Sequence, residues 1–205
     1  MANTNSPFGL LPVGGADGAA PTYPMAKRYI SSANTTTSYR GDPQIWLSTG
    51  FVAQGVEGTV VSQFAGILWG VTYYSQSQQT TTYSKYWPGS DVASGSTVIA
   101  HVLPVSTAVP YFFYGQTSNS STTATAVTFG SVAENIDYTI GTGSTLSGQS
   151  GAYLDQNILG TTATLPFRIV DLWSNYTNSA GPGADATTAY NWIVVQANIY
   201  QETGI

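Results

Sequence analysis

The amino-acid sequence predicts an all-β protein: one β-barrel or β-sandwich body over residues 40–205, preceded by an extended N-terminal arm over residues 1–39. Three observations predict it. Short runs rich in Val, Ile, Thr, Tyr, Phe and Trp are separated by clusters of Gly, Pro, Ser and Asn, the pattern of strands and turns. No stretch carries a convincing 3.6-residue apolar period. In the opening segment Pro7, Pro12, Gly9, Gly14 and Gly15 interrupt regular hydrogen bonding, while Phe8, Leu10, Leu11 and Val13 are too apolar for a solvated tail. Such a segment needs a surface to lie on, either its own domain or a neighbour.

Taken in order after the arm, the strand candidates are Gln44 to Leu47, Gly58 to Ser62, Ile67 to Tyr74, Thr97 to Leu103, Tyr111 to Tyr114, Thr125 to Phe129, Leu165 to Trp173 and Tyr190 to Tyr200. The last is the clearest: Ile193, Val195, Ala197 and Ile199 alternate with Trp192, Val194, Gln196 and Asn198, the two-residue period of a strand with one drier face. Thr97 to Leu103 and Leu165 to Trp173 are apolar on both faces over part of their length, which places them centrally in a sheet. Ser31 to Ser38, Gln76 to Thr82, Gln116 to Thr123 and Asn175 to Thr188 read as surface loops, being short and bracketed by aromatic-rich runs. Gly141 to Gly151 is the most flexible stretch by composition. Ser131 and Glu134 have capping-box spacing and suit either one helical turn or a plain loop.

Composition narrows the partners. The 205 residues suffice for one sizeable core or two small ones. Charged residues make up 7% of the chain, against roughly 25% in an ordinary soluble domain. The surface is therefore built from Ser, Thr, Asn, Gln and Tyr. Five Lys and Arg against ten Asp and Glu give a net charge of -5, the opposite of the basic footprint that nucleic-acid binding requires. No segment approaches the ~20 apolar residues of a membrane helix, and the opening lacks the charged and apolar regions of a secretory signal. The chain has no cysteine, so neither disulfides nor thiolate chemistry contribute.

Catalytic and metal signatures are weak, and no catalytic residue, metal site or cofactor is expected. Gly141-Thr142-Gly143 begins like a dinucleotide fingerprint, but Leu146 stands where a glycine belongs. His101 is the one histidine, set between Ala100 and Val102 in an apolar run, and reads as a structural side chain. Asp155-Gln156-Asn157 opens like a calcium loop, yet Leu159 and Pro166 occupy ligand positions and the match fails. Glu57, Glu134, Asp137, Asp155 and Asp171 supply carboxylates for a glycosidase pair only if the fold brings two together. Fourteen Tyr, seven Phe and five Trp form dense groups. These fill a core, a protein interface or a sugar-stacking platform. Tyr73, Tyr86, Trp87, Tyr111 and Phe113 are the candidates for an oligomer interface.

The opening Met1-Ala2-Asn3-Thr4-Asn5 followed by Pro7-Phe8-Gly9 and Pro12 resembles a family of tailed-bacteriophage capsid decoration, or cement, proteins. Gly41-Asp42-Pro43, Gly66-Ile67-Leu68-Trp69-Gly70-Val71, Ser150 with Leu154-Asp155, and Thr162-Ala163-Thr164-Leu165-Pro166-Phe167 extend the resemblance over most of the chain. The most specific parts are the opening and the Thr-Ala-Thr-Leu-Pro segment. Leu11 replaces a frequent basic residue, and Asn198-Ile199-Tyr200 stands where relatives often carry Asn-x-His. The resemblance implies a protein on the outer surface of the virion, clamping neighbouring major capsid subunits, commonly as a trimer. Asn3, Asn5, Pro7, Phe8, Leu10, Leu11 and Pro12 would then be the capsid-binding residues of the arm. A carbohydrate-binding or adhesin module on the virion surface is the alternative.

Overall fold

The computed structural model describes residues 2–15, 25–105, 111–173 and 185–198. Among these residues there is no α-helix, and the strands are β1 (Leu11–Gly15), β2 (Ala26–Ile30), β3 (Ser38–Tyr39), β4 (Pro43–Trp46), β5 (Val52–Gln54), β6 (Phe64–Ser75), β7 (Thr80–Ser84), β8 (Tyr86–Trp87), β9 (Val98–Pro104), β10 (Tyr111–Ser118), β11 (Asn135–Thr139), β12 (Tyr153–Gly160), β13 (Phe167–Leu172) and β14 (Trp192–Ala197). The all-β expectation is met.

Two six-stranded sheets carry the fold. In the first, the pairings run β10–β12–β11–β13–β14 and return to β10, closing a barrel, with β1 added beside β10. In the second the order is β2–β9–β6–β4–β5, and β7 pairs with the later half of β6. β3 and β8 form a small separate ladder. As their two-sided apolar patterns imply, β9 and β13 lie inside their sheets, flanked on both edges.

Two clusters of buried side chains follow from this arrangement. One lies where the sheets meet: Phe64 and Ile67 of β6 and Leu103 of β9 pack with Phe113, Tyr138, Leu154, Phe167, Ile193 and Val195. The other fills the curl of the second sheet, with Ile30, Val52, Leu68, Val71, Val98, Val102 and Trp87. β6 alternates between the two, so one strand seals both cores. Its Gly66 has φ +133, and an added Cβ there would stand 2.1 Å from the Leu103 carbonyl oxygen. Only glycine lets β6 bulge against β4 and still touch β9.

Several sequence expectations change. The body does not start at residue 40, because β1 and β2 pair with β10 and β9 within the segment read as an arm. Gly58 to Ser62 is not a strand. Thr59 Oγ1 donates to the Val56 carbonyl at 2.5 Å, and Val61–Gln63 forms a 3-10 turn; the local hydroxyl bond displaces a ladder. Thr125 to Phe129 is not a strand either. Side-chain amides take its backbone groups, with Asn191 Nδ2 donating to the Val127 carbonyl at 2.9 Å and the Thr125 N–H donating to Gln156 at 3.0 Å. Conversely, β7 takes the last residues, Thr80 to Thr82, of the stretch read as the Gln76 to Thr82 loop, and β12 covers the stretch that opened like a calcium loop. The 3-10 turn at Phe129–Ser131 precedes the predicted Ser131 turn. Ile199 and Tyr200, and most of the Asn175 to Thr188 loop, lie outside the described residues.

Candidate binding surface

The opening segment lies on its own body. Asn3 Nδ2 donates to the carbonyls of Asp185 at 2.8 Å and Ala189 at 3.2 Å. The Ser6 N–H donates to Gln116 Oε1, and Gln116 Nε2 donates to the Thr4 carbonyl, both at 2.8 Å. Gln149 Nε2 donates to the Phe8 carbonyl. The Gly9 N–H reaches the Ala152 carbonyl at 3.0 Å and the Leu10 N–H the Gly41 carbonyl at 2.9 Å. Phe8 packs edge-on against Trp192 with ring centroids 4.7 Å apart and stands 5.6 Å from Tyr114. Leu10 is 1% exposed, a core residue. Leu10 is therefore removed from the outward-facing set, and Asn3 and Phe8 are anchored intramolecularly. Asn5 is exposed, and Pro7, Leu11 and Pro12 are half-buried, so these remain on the surface. The clamping glutamines, Gln116 and Gln149, carried no periodic signal in the sequence.

Beneath the arm sits a buried carboxylate. Asp42 accepts hydrogen bonds from the Tyr39 N–H at 2.6 Å, Gln54 Nε2 at 2.7 Å and Ser150 Oγ at 2.5 Å. Its backbone pairs with β6, the Leu68 N–H donating to the Asp42 carbonyl at 2.9 Å. Arg40 bridges to Gln149 and lays its guanidinium 3.6 Å from the Trp69 ring centre. Burial pushes the Asp42 carboxyl above its ordinary pKa, partly offset by its bonds from Ser150, Tyr39 and Gln54. Gly41-Asp42-Pro43 and Ser150, two segments that carry the family resemblance, thus meet in one latch joining the second sheet to the loop before β12.

The remaining titratable candidates are tied into the scaffold. His101, half-buried on β9, shares a 2.8 Å hydrogen bond between Nε2 and Thr72 Oγ1. Burial, then the Lys27 charge, lowers its pKa. Asp155 accepts from the Ser120 N–H at 3.1 Å, the Asn157 N–H at 2.9 Å and Thr139 Oγ1 at 2.8 Å. Asp137 stands opposite it in the β11–β12 register and accepts from the Gly58 N–H at 2.8 Å. Burial pushes Asp137 up, with smaller pushes from Glu57 and Asp155. The fold therefore gathers Glu57, Asp137 and Asp155, while Glu134 lies just before β11 and Asp171 on β13. Among the described residues no group of three or more His, Cys, Asp or Glu is placed to hold a metal ion.

A His101→Gln variant is expected to lose only about 0.5–1 kcal/mol of stability, because the amide still meets Thr72. The sign of its pH effect is fixed by the lowered folded pKa. As pH falls through 6.5 the unfolded state binds the extra proton first, so the wild type loses a little stability there. The variant lacks that component. Urea midpoints at several pH values measure both effects, and a loss above about 3 kcal/mol would contradict the peripheral role.

The predicted interface aromatics are mostly interior. Trp87, Phe113, Tyr111 and Tyr73 are all buried within the protomer, with Trp87 Nε1 donating to the Asn34 carbonyl at 3.0 Å. These four belong to the two buried clusters of the protomer and are core side chains, not interface ones. Tyr86 is half-buried and stacks on Tyr39 at 5.5 Å. Among the described residues the exposed rings are instead Tyr29, Trp46, Phe51, Tyr74, Tyr83 and Phe129. Alternation alone does not tell which face of a curled sheet is inward.

Comparisons with protein-family models, with curated proteins and with solved structures found no match to this chain.

Proposed function

We propose that this protein decorates the outer surface of a tailed-phage capsid and clamps neighbouring major capsid subunits. The observation that carries the reading is the presentation of the opening segment. Its motif residues Asn5, Pro7, Leu11 and Pro12 run across the body's surface and lead into β1, which pairs with β10 alone. One side of β1 therefore bears no strand among the described residues, and a shell strand can add there through backbone hydrogen bonds, without needing charge. Pro12 is tolerated at such an edge because it has no N–H, and it leaves the donors of an added ladder to the other residues of β1.

Other features agree with this reading. The sequence resemblance covers most of the chain, and the body is an all-β scaffold sealed by two cores. His101, Asp42 and Asp155 hold strands and loops by hydrogen bonds to their neighbours. In this proposal a three-fold oligomer engages several shell subunits together, so that modest interfaces of about 800 Å² per partner become effectively permanent.

The test is particle survival. Capsids carrying the protein are expected to outlast bare capsids under heat or low salt, where packaged DNA strains the shell. Equal survival of decorated and bare particles would overturn the cement role.

A further inference from the structure

We infer that the cleft between the end of β2 and the turn that carries Phe51 is a binding site for a neutral sugar. The inference stands apart from the capsid proposal, since it uses none of the arm residues. β2 and β5 are the two ends of the second sheet, brought close by its curl but sharing no ladder. Beside them lies an open cleft of about 340 Å³ walled by Tyr29 and Ile30 at the end of β2, Phe51 just before β5, and Gly95 to Val98, with Ser96 and Thr97 supplying hydroxyls. That volume stands at the small end of ligand sites, enough for one or two sugar rings.

The two rings are mounted on ordered backbone. Tyr29 sits opposite Ile99 in the β2–β9 ladder. Phe51 closes the β4–β5 hairpin, the Leu47 N–H donating to the Phe51 carbonyl and the Gly50 N–H to the Leu47 carbonyl, each at 2.9 Å. Both side chains are more than a third exposed, Tyr29 at 50% and Phe51 at 37%. Because the backbone carrying both rings is already ordered, no loop has to be ordered on binding.

Chemistry selects the ligand class. A sugar ring presents an apolar C–H face and a rim of hydroxyls. The aromatic walls match the face, and Ser96 and Thr97 match the rim. No charged side chain lines the cleft, and the net charge of -5 disfavours anionic sugars. An inserted peptide strand fits poorly. Cα atoms of β2 and β5 come within 8 Å of each other, whereas strands flanking a third stand about 9–10 Å apart.

Full-length protein is titrated with neutral hexoses, N-acetylhexosamines, their disaccharides and a sialylated lactose, followed by saturation-transfer NMR and calorimetry. At least one is expected to bind. Tyr29→Ala and Phe51→Ala should each weaken it about tenfold with urea midpoints nearly unchanged, while Tyr29→Phe, which keeps the ring, retains binding. Absence of binding across the whole panel overturns the inference, as does binding that survives the Tyr29→Ala/Phe51→Ala double variant. A preference for sialylated over neutral sugars overturns the charge argument. Self-association that the double variant abolishes would assign the cleft to a second copy of the chain and overturn the sugar site.

Discussion

Removing residues 2–14 is expected to destabilise the whole body, not to yield a trimmed and folded one. The removed segment includes Leu10, a fully interior side chain of the cluster where the two sheets meet. Truncating one such leucine to alanine costs about 2–5 kcal/mol, a large share of the ~5–15 kcal/mol that holds a typical domain together. The deletion also strips most of β1 from β10, the Phe8 ring from Trp192, and the carbonyl partners of Gln116 and Gln149. Leu10→Ala alone should shift the urea unfolding free energy by about 3 kcal/mol. A deletion variant melting within a couple of degrees of the wild type would show that the arm is dispensable to the fold. The consequence for capsid binding is direct: loss of decoration by the deletion variant would not separate docking from unfolding. Docking is read instead from substitutions at Asn5, Pro7 and Leu11, which stay on the surface.

The arm also shows how far the sequence could be read. Its proline and glycine spacing with four large apolar residues correctly demanded a surface, and left open whose. Deciding between self and neighbour required Gly9, where φ is +80 and an added Cβ would stand 2.6 Å from Ser150 Cβ. That is a contact across more than a hundred residues, which no local pattern encodes. The strands β6, β9, β13 and β14, each six residues or longer and rich in Val, Ile and aromatic side chains, were legible. β5, β8 and β11 were not, since strands this short take their conformation from the neighbours that pair with them. The aromatic side chains were legible as a class and not as individuals. Tyr111 and Phe113 face a core, and Tyr29 and Phe51 face solvent, because barrel curvature decides which side of each strand is inside. The cleft is formed at the two ends of a curled sheet, so its four lining polar and aromatic residues come from three separate stretches of sequence.

Replacing Asp42 by alanine is expected to cost about 3 kcal/mol at neutral pH. Three donors converge on this carboxylate, and removing it orphans the Tyr39 N–H, Gln54 Nε2 and Ser150 Oγ in a site where Asp42 itself is 1% exposed. Each buried unsatisfied group costs about 1–3 kcal/mol, and relief from burying a charge offsets part of that sum. The pH dependence follows from the direction of the shift. With the folded pKa raised above 3.8, the folded state holds more protons than the unfolded state between those two values. Stability therefore falls as pH rises through that window, and the cost of the buried charge is fully present above it. Asp137, also raised by burial, acts in the same direction. Acidification from neutral pH should accordingly stabilise the wild type through these two groups, against the small opposing effect of His101. In Asp42→Ala the Asp42 share of this gain disappears. The same substitution should loosen the arm, because Ser150 and Gly41 are the groups on which Gly9 and Leu10 rest. Urea unfolding at pH 7.0, 5.5 and 4.5 measures the first effect, and hydrogen exchange at the Gly9 and Leu10 amides measures the second. An alanine variant within about 0.5 kcal/mol of the wild type, the range of ordinary surface changes, would show that Asp42 does not hold the two sheets and the arm together.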